Sequence, residues 1–121
     1  MKSREAVRAL GALAHEYRLE VYRMLVREGP EGLPAGAIGE RVGLAPSSLT
    51  FHLQAMQRAG LIRQARVSRQ LFYSADYTAM SGLVGYLTDE CCSAGTACAP
   101  DCEPKAASRK SRSAKAAWAR P

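Results

Sequence analysis

No apolar run approaches the roughly 18 residues that a membrane span needs, and no apolar signal core follows Met1-Lys2-Ser3-Arg4-Glu5. Both absences lead us to expect a cytoplasmic protein with no membrane partner. Histidine is scarce: His15 and His52 lie far apart and near no acidic cluster. A glycine-rich phosphate loop and a nucleophile elbow are also missing. Enzymatic function is therefore not expected, nor is an organic cofactor. Internal repeats are absent, and cysteine does not occur in residues 1–90. The length of 121 residues is short for an α/β barrel, which needs about 250. A hydrophobic content of 47% is enough to bury a core and excludes a wholly disordered chain.

What is present is unevenly placed. The net charge is +6, yet residues 1–102 hold eleven basic and ten acidic side chains. Residues 103–121 hold Lys105, Arg109, Lys110, Arg112, Lys115 and Arg120 against Glu103 alone. Such a tail attracts nucleic acid without reading sequence, or simply keeps a protein soluble. We expect residues 103–121 to be a flexible basic tail.

Helical spacing of Val7, Leu10 and Leu13 predicts a first helix over Ser3–Ala14. Leu19, Tyr22 and Val26, with Val21 and Leu25, predict a second over 15–28, broken by Gly29-Pro30-Glu31-Gly32. A short helix over Pro34–Val42 ends at Gly43. Another starts at Pro46 and stops at Gly60, with Leu49, Leu53 and Met56 as its buried stripe. Its other face carries Ser47, Ser48, Thr50, Phe51, Gln54 and Gln57 and no carboxylate, as suits an approach to DNA. Two strand-like runs, Leu61–Arg66 and Gln70–Ser74, meet at Val67-Ser68-Arg69 and carry Arg63, Arg66 and Arg69. Asp76 is a plausible N-cap for a last helix reaching about Cys91. Tyr77, Met80, Val84, Leu87 and Cys91 form a continuous stripe along it. A small domain covers such a stripe poorly on both sides, and Gly82 and Gly85 would let a second helix approach. The expected fold class is mainly α with a small β-hairpin (α+β), a winged helix-turn-helix that dimerises through its terminal helices.

The helix-turn-helix signal is the short turn Gly43-Leu44-Ala45, and the basic hairpin after it has the place of a wing. Here the sequence resembles the ArsR/SmtB-type winged-helix repressors, the arsenic-responsive family. The resemblance rests on Leu13 to Val21, Ala37 to Leu44, Ser47 to Leu53, Ala59-Gly60-Leu61-Ile62 and the wing from Arg63 to Tyr73, in that order. It covers residues 5–92 and implies a homodimeric repressor that releases its operator when an effector binds. It also implies that Ser47, Ser48, Thr50, His52 and Gln54 face the major groove, with Arg63, Arg66 and Arg69 on phosphates. His52, beside Leu53, suits a packed histidine equally well. A two-fold dimer would read an inverted repeat in double-stranded DNA, with recognition helices about 34 Å apart.

All four cysteines fall within twelve residues, as Cys91-Cys92, Cys98 and Cys102. Such a cluster in a cytosolic chain favours metal or redox chemistry over structural disulfides. Trivalent arsenic and antimony bond three thiolates in a pyramid, which Cys91, Cys92 and Cys98 can supply. Zinc, cadmium or lead would add Cys102 as a fourth ligand. Formation of a disulfide or persulfide is the redox alternative. Some arsenic-sensing members of the resembled family carry a Cys-x-Cys pair before the recognition helix, where Glu40 to Ala45 has no sulfur. Zinc-sensing members use Asp and His on the last helix, and Asp89 has no histidine beside it. We therefore expect As(III) or Sb(III) as effector of an arsenical-resistance repressor. The expected organisation is a DNA-binding and dimerisation domain over 1–92, an effector segment over 91–102, and the tail over 103–121.

Overall fold

A computed structural model describes residues 1–94. Met1–Tyr86 form one compact unit, and a second begins at Leu87. The elements run α1 (Ser3–Leu13), α2 (Glu16–Glu28), β1 (Leu33–Pro34), α3 (Ala35–Val42), α4 (Pro46–Arg58), β2 (Ile62–Val67), β3 (Gln70–Ala75) and α5 (Tyr77–Thr88). The sheet is antiparallel, in the order β1-β3-β2. This is a winged helix-turn-helix.

Local chemistry sets most of the boundaries. The His15 ring caps α2, its Nδ1 accepting from the Tyr17 backbone N–H at 3.2 Å. α3 ends at Gly43, whose φ of 80° is left-handed. Pro46 occupies the first turn of α4. At the other end Gly60 donates to the Gln57 carbonyl and Leu61 to the Met56 carbonyl, the paired closure that satisfies a helix's last acceptors. Asp76 caps α5 by accepting from the Ala79 N–H at 3.1 Å. In the hairpin, Val67 pairs with Gln70 and leaves a two-residue loop. Ser68 at its first position has φ 58°, the sense that two-residue hairpin loops need.

The core gathers Val21 and Leu25 of α2, Ile38 of α3, Leu49, Leu53 and Met56 of α4, and Leu61 and Ile62 at the base of the wing. α1 departs from expectation. It buries its alanines Ala6, Ala9 and Ala12, while Val7 is 65% and Leu10 42% exposed. The small side chains let the helix axis lie close to its neighbours, so the opposite face carries the large residues outward. Leu19 of α2 is exposed for the same reason of phase, its turn burying Val21 and Tyr22 instead.

β1 was not expected from sequence. It is two residues long and exists only because Leu33 and Pro34 pair with Tyr73 and Phe72. Pro34 therefore ends a strand and precedes α3 rather than starting the helix. α5 ends at Thr88, short of Cys91. Glu90 and Cys92 follow with φ of 56° and 64°, left-handed values that a continuing helix cannot hold. The expected stripe splits as well. Tyr77 and Met80 pack against the core beside buried Leu83, whereas Val84 and Leu87 are exposed. Gly82 faces Met1 of its own chain, which a Cβ would meet at 3.6 Å.

Candidate nucleic-acid interface

α4 has two chemically distinct faces. Leu49, Leu53 and Met56 are buried, and Ser47, Ser48, Thr50, Phe51 and Gln54 are exposed. α3 is held against it closely, because a Cβ on Gly39 would already meet the Leu49 side chain at 3.3 Å. The outward face contains no carboxylate, and α4 has none anywhere along its length. Hydroxyls and amides at the start of a protruding helix can donate to phosphates and reach base edges.

His52 was expected in the groove and is found inside. It is 9% exposed, and its Nδ1 accepts a hydrogen bond from Arg18 Nε at 3.0 Å. The His15 ring lies 4.6 Å away, centroid to centroid. Burial lowers the His52 pKa, and the nearby His15 and Arg18 push it further down. The imidazole is therefore a neutral packing group and acceptor, as its position beside Leu53 allowed. Sequence reasoning did not find its partner Arg18, which lies 34 residues away with no motif connecting the two.

The wing arginines are not equivalent. Arg63 sits at the base, its Nε 3.5 Å from the Asp76 carboxylate. Arg66 lies opposite Leu71 near the tip, and Arg69 is in the turn. All three are exposed. Alternation along a strand sends Arg63 and Arg66 to opposite faces of the ribbon. Gln64 Nε2 donates to the Tyr73 hydroxyl at 2.8 Å and braces the ribbon near its base.

The sulfur cluster is described in part. The Cys91 and Cys92 Sγ atoms are 3.7 Å apart, in contact but far beyond a bond of about 2.05 Å. Two sulfurs about 2.3 Å from one ion would be this far apart at an angle of about 107°. That is the spacing along the edge of a tetrahedral thiolate shell; a pyramidal ion with a lone pair closes the angle and needs the two sulfurs a few tenths of an ångström nearer. Cys98, Cys102 and the basic tail lie outside the described residues. Among the described residues no group of three or more His, Cys, Asp or Glu could hold a metal ion.

Residues 13–65 match the protein family described as a helix-turn-helix domain. The solved structure of an ArsR-like transcriptional regulator from Rhodococcus sp. superposes with a TM-score of 0.61 at 25% identity, over 69% of this chain and 76% of that one. The transcriptional activator HlyU of Vibrio cholerae is 31% identical over 85 residues, 70% of this chain and 76% of that protein. The chain belongs to the ArsR/SmtB family of winged-helix transcriptional regulators. The chain is also similar to the nodulation protein NolR of Rhizobium meliloti, 31% identical over 80 residues; that alignment spans 66% of this chain and 63% of the rhizobial protein. Membership of this family makes the chain a DNA-binding regulator of transcription and not an enzyme. Among the described residues no helix is long and apolar enough to cross a membrane.

Proposed function

We propose that the protein is a cytoplasmic repressor that holds operator DNA as a homodimer and lets go when trivalent arsenic or antimony is bound by Cys91, Cys92 and Cys98. The observation that supports the effector reading is the 3.7 Å contact between the Cys91 and Cys92 sulfurs, two soft donors side by side. Cys98, six residues further on, is the third donor in the sequence. Ser47, Ser48, Thr50 and Gln54 on the outward face of α4 approach the major groove, and Arg66 and Arg69 meet phosphates. The dimer reading is supported by large apolar residues left outside on both terminal helices: Val7 and Leu10 on α1, and Val84, 56% exposed, on α5. A two-fold pair presents two copies of α4 to an inverted repeat. A differential affinity of a few kcal/mol between the loaded and unloaded protein suffices to empty the operator.

A redox reading shares the same sulfur contact, since adjacent thiols can be oxidised by peroxide or polysulfide. Gel shift on the DNA upstream of the protein's own gene separates the two. Release by arsenite, abolished in Cys91→Ser, Cys92→Ser and Cys98→Ser, is the expected result. Arsenite release that survives Cys98→Ser rules out the three-sulfur site, and release by oxidant alone favours the redox sensor.

A further inference from the structure

We propose that Arg18, at the start of α2, is a DNA-phosphate contact held at the edge of the recognition helix by His52 and Phe51. The proposal rests on α4 being the DNA-reading element. Arg18 Nε is anchored on His52 Nδ1 at 3.0 Å. Its guanidinium carbon also lies 5.6 Å from the centre of the Phe51 ring. Phe51 is 59% exposed and stands on the outward face of α4, one turn after Ser47 and Ser48 and three residues before Gln54. The positive group is thus fixed beside the residues that approach DNA, although it belongs to another helix.

The choice of partner is informative. A carboxylate would hold an arginine at least as firmly but would cancel its charge. Among the described residues the ion pairs are Arg41–Glu28 and Arg63–Asp76, and neither involves Arg18. A neutral imidazole and an aromatic face instead orient the guanidinium and leave its full charge for an anion. Nε and the π-face are engaged, and the two η nitrogens can form the fork that grips a phosphate. His52 is the positioning residue. The titratable groups that face it are Arg18, His15 and Tyr17, all from the α2 side. Its Nδ1 must stay unprotonated to accept from Arg18, because the guanidinium can only donate.

The test is fluorescence anisotropy of the full-length protein on its own upstream DNA and on an unrelated duplex, across a salt series. Arg18→Gln keeps a side-chain donor for His52 and removes the charge. The expected result is weaker binding by the same factor on both duplexes. The slope of log K against log salt should become shallower by about 0.9 for each phosphate that is no longer neutralised. Arg18→Lys should keep most of the slope. His52→Asn, which retains an acceptor, should bind better than His52→Leu. An unchanged slope in Arg18→Gln overturns the proposal. Should Arg18→Gln fail to fold, modification of the wild-type protein by phenylglyoxal, followed by peptide mapping, decides the matter. Protection of Arg18 by duplex supports the contact, and equal modification with and without duplex refutes it. A wild-type protein that binds no duplex would refute the DNA reading itself; wild-type binding with the Arg18→Gln slope unchanged would refute the role of Arg18 alone.

Discussion

Gly32 lies flat against the backbone carbonyl of Tyr73, so that a Cβ on Gly32 would collide with the Tyr73 oxygen. Its φ of 73° is also left-handed. Gly32 leads directly into β1, and the contact seats that short strand against β3 at the root of the wing. Gly32→Ala is expected to destabilise the protein by about 2–4 kcal/mol through combined strain and collision. The urea midpoint should fall accordingly. A variant within about 0.5 kcal/mol of wild type would show that the strand shifts freely.

Tyr22 is buried, and its hydroxyl has no hydrogen-bond partner among the described residues. Burial raises the phenol's pKa, and the nearby Asp76 and Tyr77 add to the rise, so it stays neutral well into the alkaline range. Removing an unsatisfied buried hydroxyl leaves the packing intact and relieves its desolvation. Tyr22→Phe should therefore be as stable as wild type or more so, by up to about 1 kcal/mol. A drop of more than that in thermal unfolding would reveal a partner for the hydroxyl.

The His52 pKa is held below its ordinary value of about 6.5. The folded protein therefore binds fewer protons at this site than the unfolded chain does. The stability this represents is fully present above about pH 6.5 and is lost as the pH falls from there toward the depressed folded value. His52→Asn should flatten this part of the stability–pH curve. If denaturation at pH 7.5 and pH 5.5 shows the same pH dependence in wild type and variant, another group is responsible.

In the wing, Arg66→Ala and Arg69→Ala are each expected to weaken DNA binding on all sequences alike and to reduce the salt slope by about 1. Arg63→Ala should do less to binding, because its guanidinium is already shared with Asp76. Its effect on stability should stay under about 1 kcal/mol, as for an exposed ion pair. An equal reduction of slope for all three arginines would mean that the Arg63–Asp76 pair opens on DNA.

Cys91→Ser and Cys92→Ser should each remove arsenite-induced release while leaving DNA affinity in the absence of arsenite unchanged. Anisotropy titrations with and without arsenite would show this. A fall in basal affinity in either variant would assign the thiols to folding or assembly rather than sensing.

Much of this architecture was legible in the residues themselves. The order of helices, the turn at Gly43, the start of α4 at Pro46, its closure at Gly60 and the cap at Asp76 all depend on groups within one helical turn of each other. Their geometry follows from backbone sterics and from hydrogen bonds to orphan amides and carbonyls, so a short stretch of sequence determines them. The carboxylate-free face of α4 was legible for the same reason. Tertiary packing decided the rest. Helical spacing identifies α1, yet packing chose its alanine face for burial and left Val7 and Leu10 outside. β1 arises only from pairing with a strand some 40 residues later. The inward turn of His52 and its bond to Arg18 join residues 34 positions apart, and Asp76, legible as a cap, also claims Arg63. Periodicity names the residues that share a face, but which face meets which neighbour is decided by how the helices close on one another.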